Sequence, residues 1–120
     1  MIGRVDSAGR SLIEIEISGT DDGATSSVAV WIDTGFPGEL VLPQSMIDNL
    51  ALALTGTVSA TLADGSRAVL TTYECHVRWF DDWLRLEVVA NSGSVALLGV
   101  GLLLNRRLTI DFRSGSVALD

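Results

Sequence analysis

Lysine is missing from this chain; all eight basic residues are arginine. That removes Schiff-base chemistry, lysine-linked cofactors and the lysine of a phosphate-binding loop in one stroke. Histidine occurs once, at His76, and cysteine once, at Cys75. A nucleophile–histidine site would have to be built on that single imidazole. A zinc site would have one imidazole, one thiolate and carboxylates to draw on, a poor donor set. A lone cysteine closes no internal disulfide, which suits a reducing compartment. No apolar run reaches the ~18 residues of a membrane span. The longest apolar block, Val95 to Leu104, is interrupted by Gly99 and Gly101. The opening Met1-Ile-Gly-Arg-Val-Asp-Ser7 has no apolar core of a secretory signal. These features predict a cytoplasmic protein that does not engage a membrane. What remains plentiful is carboxylate: 15 acidic residues against eight basic ones, a net charge of −7. Nucleic-acid backbones reward basic patches, so no nucleic-acid partner is expected.

A chain of 120 residues with 48% hydrophobic residues is enough for one domain with its own core. The dominant pattern has period 2. Ile13, Ile15 and Ile17 alternate with Glu14 and Glu16, and Val28, Val30 and Ile32 alternate with Ala29, Trp31 and Asp33. Further alternations run through Val58 to Leu62, Tyr73 to Trp79, Leu84 to Val88 and Leu108 to Phe112. Turn-forming clusters separate them at Ser18 to Gly23, Asp64-Gly65, Asp81-Asp82, Asn91 to Ser94 and Ser114-Gly115. Asp-Gly is favoured in a two-residue hairpin turn, because both residues tolerate positive φ. Short helices are predicted within Pro43 to Leu52, with Met46, Ile47 and Leu50 on one side, and over Gly101 to Asn105. The prediction is a single all-β domain over residues 1–120, with one or two short helices.

One strand ends oddly. The stretch VAVWIDTGFPGELVLP, Val28 to Pro43, runs from an apolar strand straight into Asp33 and then into a second apolar run. A buried carboxylate is costly unless hydrogen-bonded, paired or protonated. Gly35 offers a backbone N–H with no side chain in the way, and Thr34 offers a hydroxyl. An acid held in a tight loop by such donors is preorganised for reaction. One carboxylate alone does little hydrolysis. Two in close contact share a proton, so one serves as base and the other as acid at the same pH. The chain has a single Asp-Thr-Gly; Asp6-Ser-Ala lacks the glycine. A symmetric homodimer would supply the second acid as another copy of the first.

Ile32-Asp33-Thr34-Gly35, Leu40-Val41-Leu42-Pro43, the Ala63-Asp64-Gly65 hairpin and Leu97-Leu98-Gly99, in that order, resemble the retroviral-type (retropepsin-like) aspartic proteases. The small stand-alone cellular members in bacteria and archaea are the nearer likeness. The resemblance implies a closed, barrel-like, mostly β fold that dimerises, with no metal or cofactor. It implies a catalytic Asp33, a Thr34 that braces the two active loops across the dimer, and a Gly35 that helps hold the substrate backbone. Ala63, Asp64, Gly65 and Ser66 become the tip of a flap, about Thr57 to Thr72, that closes over an extended peptide or unfolded protein segment. Leu97, Leu98 and Gly99 become the support beneath the catalytic loop. Apolar pockets are expected around Ile32, Val69 and Val100. Three departures stand out. Val100-Gly101 occupies the place of the Arg and Asn or Asp usual in viral members, Phe36-Pro37-Gly38 replaces a more acidic loop, and the flap tip is Ala-Asp-Gly-Ser.

The implied activity is that of an aspartic endopeptidase, with a catalytically silent peptide-binding or dimerisation module on the same fold as the alternative. The other conspicuous residues have plainer readings. His76, between Glu74 and Arg78, reads as a surface residue, and Cys75 as a core thiol. Asp21-Asp22 and Asp81-Asp82 have too few spaced oxygens for a calcium loop. Trp31, Trp79 and Trp83 suit the core or the dimer interface. Arg106-Arg107 reads as a solvated pair that could also replace the missing interface arginine.

Overall fold

The computed structural model describes residues 1–20 and 23–120; the Asp21-Asp22 pair lies outside them. Period-2 alternation becomes inside and outside as the sequence predicts. In β2 (Ser11–Ser18), Ile13, Ile15 and Ile17 are buried while Glu14 and Glu16 are exposed. β3 (Ser26–Ile32) runs antiparallel to it with Ile13 opposite Val30 and Ile15 opposite Val28. β4 (Leu40–Pro43) shows no alternation, because all four of its residues are buried. A short helix α1 (Gln44–Asn49) follows and anchors Ile47 in the core. Next come β5 (Leu54–Thr61), the long β6 (Arg67–Trp79), β7 (Asp82–Asn91) and β8 (Ala96–Leu98). Helix α2 (Val100–Leu103) is one turn long.

Six strands close on themselves in the order β2-β3-β8-β4-β7-β6, with β6 pairing back onto β2. Two of the contacts are parallel, β3 with β8 and β4 with β7. Closure leaves none of these six strands as an open edge over its paired length. The interior is filled by Ile13, Ile17, Val30, Leu40, Leu42, Val77, Val88 and Leu98, all essentially free of solvent contact. The helices, the core and the closed barrel match the predicted all-β architecture.

Two extensions leave the barrel. On one side, β1 (Ile2–Val5) joins β2, and β10 (Ser116–Leu119) lies between β1 and β9 (Leu108–Asp111). On the other, β5 pairs with the first half of β6 and, among the described residues, with no other strand, so this hairpin projects as an arm. Its turn differs from the two-residue form expected from Asp64-Gly65. The Gly65 N–H donates to the Leu62 carbonyl and the Leu62 N–H to the Ser66 carbonyl, enclosing a three-residue loop. Only Gly65 has positive φ, +85°. Asp64 instead uses its carboxylate to accept the Ser66 N–H (2.9 Å) and hydroxyl (2.6 Å), a local bond that fixes the turn from outside it. The β6–β7 turn is also shifted by one residue, to Phe80-Asp81. Phe80 takes φ of 58°, held by the edge of Trp79 and by the Arg106 guanidinium 3.7 Å over its ring. Arg106 is thus engaged within its own chain.

Candidate active site

Strand β3 delivers Asp33 to the barrel rim, where the Asp33 N–H donates to the Leu98 carbonyl at 2.8 Å. That bond is the last rung of the parallel β3–β8 ladder, and it lets the chain leave the sheet at Thr34. The loop folds back on its own acid. The Gly35 N–H donates to Asp33 Oδ1 at 2.9 Å, and the Phe36 N–H to the Asp33 carbonyl at 3.2 Å. Asp33 is half-buried, while Thr34 and Gly35 are exposed. Among the described residues, no other hydrogen bond reaches the carboxylate. The acid is fixed on one oxygen and open on the other.

A second layer of bonds holds the loop from below. Gly99 N–H donates to Glu39, Val100 N–H to Phe36 and Gly101 N–H to Gly38, all at 2.8–2.9 Å between backbone atoms. The two segments approach so closely that a Cβ on Gly99 would lie 2.2 Å from the Gly38 carbonyl oxygen. Leu98 is buried and Leu97 half-buried beside it. Asp33, Thr34 and Gly35 are therefore brought together with Leu97, Leu98 and Gly99. Gly101 has a role that sequence reasoning missed. A Cβ there would meet Glu39 Cγ at 2.7 Å and the Gly38 oxygen at 3.0 Å, so the residue standing in a viral polar position is needed for space.

The hairpin arm and the Asp33 loop enclose a groove of about 840 Å³. Its walls are Phe36 to Val41 on one side, Val58 to Leu62 with Leu70 and Thr72 on the other, and Glu87 with Val89 on β7. The stem of the hairpin, rather than its tip, faces this space. Ala63, Asp64, Gly65 and Ser66 are all exposed at the end of the arm and do not line the groove. The hydroxyl and N–H of Ser66 hold the Asp64 carboxyl below the usual carboxylate range. Of the pocket residues expected from sequence, Ile32 turns into the core with Val28 and Val30, and neither Val69 nor Val100 lines the groove. Val58, Leu62, Leu70 and Val89 supply the apolar surface in their place.

The remaining candidates stay plain. His76 is half-buried and paired across the sheet with Arg85 and Ser18. Cys75 is fully buried and its thiol is pushed up to about 11 by desolvation. Trp79 is in the core, Trp83 is half-buried under Arg78, and Trp31 is exposed with Arg10 over it. Among the described residues, no group of three or more His, Cys, Asp or Glu side chains is placed to hold a metal ion, and no helix is long and apolar enough to cross a membrane.

No protein-family model and no curated protein matches the sequence. Solved structures do match. A retropepsin-like aspartic protease from Rickettsia conorii superposes with a TM-score of 0.62 at 18% identity, covering 99% of this chain and 88% of that one. The protease of EIAV, solved with the inhibitor HBY-793, superposes with a TM-score of 0.56 at 14% identity, covering 82% and 88%. Together with the closed six-strand barrel and the Asp33 loop laced to β8, these likenesses establish that the chain has the fold of the retropepsin-like aspartic proteases.

Proposed function

We propose that this chain is an aspartic endopeptidase that works as a homodimer, with one Asp33 from each copy. The observation that carries the reading is the Asp33 carboxylate itself, pinned through Oδ1 by the Gly35 N–H and open on its other oxygen at an exposed loop. A hydrogen-bonded loop over a close-packed glycine is a rigid mount, which a residue that merely turned the chain would not need. A single chain holds half of the chemistry. A two-fold axis beside Thr34 sets two such carboxylates face to face, where they share one proton. The ionised member takes a proton from a water between them, the water oxygen bonds to the peptide carbonyl carbon, and the protonated member gives its proton to the carbonyl oxygen. The acid that took the water's proton then gives it to the leaving nitrogen, the other carboxylate takes back a hydroxyl proton of the tetrahedral intermediate, and the C–N bond breaks as the carboxylic acid product forms. The chain's own residues suffice for each of these steps, so no cofactor is invoked.

The substrate is an extended peptide lying between the Asp33 loop and the β5–β6 arm, recognised through main-chain hydrogen bonds as an added strand. Thr34 bridges to its copy across the axis in this reading, which its exposure beside the acid supports. The arm, paired only along one edge, is the element that would open and close. Wild type and Asp33→Asn, each shown to be dimeric, are incubated with a diverse peptide library from roughly pH 3.5 to 7.5, spanning the range in which a coupled carboxylate pair titrates. Products are read by mass spectrometry. Cuts made by wild type alone are the expected result. Cuts by both proteins, or by neither, overturn the proposal.

A further inference from the structure

The groove beside the Asp33 loop is apolar in its walls and negatively charged at its edge. Val58, Leu62, Leu70 and Val89 supply hydrocarbon, while Glu39 and Glu87 supply two carboxylates; among the described residues no arginine lines it. Neither acid has an ion-pair partner among the described residues. Glu87 lies directly across the β6–β7 ladder from Glu74, a like-charge pairing. Arg85 relieves Glu74 by pairing with it, and Glu87 is left without a cation. Glu39 is held by its backbone, since its carbonyl accepts the Gly99 N–H, and it is exposed.

We infer that this groove is a subsite for a lysine or arginine side chain of the peptide. The inference rests on the peptidase reading above and names its substrate class. A basic side chain matches both parts of the groove at once. Its aliphatic stem lies along apolar walls and its charged head reaches a carboxylate at the rim. A leucine would fill the walls and leave both carboxylates uncompensated, and an acidic residue would add a third negative charge. The net charge of −7 favours approach of cationic peptides over the whole surface. Asp33 itself does not line the groove, which begins at Phe36, whose N–H bonds the Asp33 carbonyl, so its occupant flanks the scissile bond. A two-fold dimer has two such grooves, so the preference recurs on both sides of the cut.

The test uses one peptide frame with norleucine, leucine, lysine, arginine or glutamate placed singly at each position around the cut. Norleucine keeps most of lysine's stem and removes its charge. Cleavage is measured as kcat/KM for wild type, Glu39→Gln and Glu87→Gln. Binding of the same peptides, fluorescently labelled, is measured by anisotropy on Asp33→Asn, which requires no hydrolysis. At one position or more, lysine and arginine are expected to exceed norleucine by about tenfold, the scale of one well-placed charge pair. That ratio should fall toward one in Glu87→Gln or Glu39→Gln and shrink as salt is raised. Glu87→Lys should turn the preference toward glutamate. Cleavage with norleucine equal to lysine at every position overturns the subsite and leaves the peptidase reading standing. So does a lysine preference that both glutamine variants retain. Binding that favours lysine and fails in Glu87→Gln, with no peptide cut by wild type, upholds the subsite and overturns the peptidase. Neither binding nor cleavage of any peptide overturns both.

Discussion

Replacing Gly99 by alanine probes whether the loop that mounts Asp33 depends on the close crossing beneath it. Gly99 has φ of −101°, so alanine incurs no backbone penalty there. Space is the whole issue. The new methyl would lie 2.2 Å from the Gly38 oxygen, 2.5 Å from a Phe36 ring carbon and 2.7 Å from the Phe36 oxygen. Two of these are main-chain atoms that accept the N–H groups of Gly101 and Val100, so neither can swing aside as a side-chain tip could. Overpacking of this kind costs about 1–3 kcal/mol, and straining the two hydrogen bonds adds about 1 kcal/mol each. The expected loss is about 3–5 kcal/mol, from a total of about 5–15 kcal/mol for an ordinary domain. At about 2.1 cal/mol/K per residue of unfolding entropy, that lowers Tm by about 12–20 °C. Gly93→Ala is the control, because its nearest neighbour would be an Asn91 side-chain atom at an ordinary 3.7 Å; it should move Tm by less than about 2 °C. Thermal unfolding followed by circular dichroism, at one protein concentration so that any dimer contributes equally, reads both. A Gly99→Ala protein within about 4 °C of wild type, roughly 1 kcal/mol, would refute the close-crossing account.

Three further outcomes follow from the core. Leu42 has no solvent contact, so Leu42→Ala should cost about 2–5 kcal/mol, read as a lower urea midpoint at unchanged m value. Cys75 should resist a thiol reagent in the native state and react on unfolding, because it is fully buried and its thiol titrates near about 11 rather than 9.0. The thiol is held protonated in the folded chain, so its contribution to stability is complete below pH 9.0 and is lost as pH rises toward about 11. Cys75→Ala should remove that part of the alkaline decline in equilibrium unfolding.

Much of this was readable in the residues, and the limits have physical reasons. Alternation fixed which of Ile13, Glu14 and Ile15 face inward, because a strand has period 2. It is blind to neighbours, so the parallel contacts of β3 with β8 and β4 with β7 had no local signal. β4 was recognisable as apolar, but four buried residues in a row have no alternation to read. Asp64-Gly65 announced a turn and concealed its length, which the Asp64–Ser66 hydrogen bonds decide. Ile32 was expected at an apolar pocket, yet its phase with Val28 and Val30 sends it into the core. Glu87 carried a signal that went unused. Leu84, Leu86 and Val88 set one face, which leaves Glu87 and Val89 together on the other. Only the folded arrangement places the hairpin stem across from them.

The parallel pairing of β3 with β8 also sets a clock. Val30 bonds beside Ala96, and the Asp33 N–H waits for the Leu98 carbonyl. During synthesis at about 5–20 residues per second, the acid leaves the ribosome's catalytic centre about 3–13 s before its support does. Within that interval β2 and β3 emerge and become able to pair, but the loop that aims the carboxylate has nothing to hang from. Loop closure over so long a separation belongs among the slower events of folding. A protein that could cut peptides would in this way stay unarmed while its own chain is still extended and within reach.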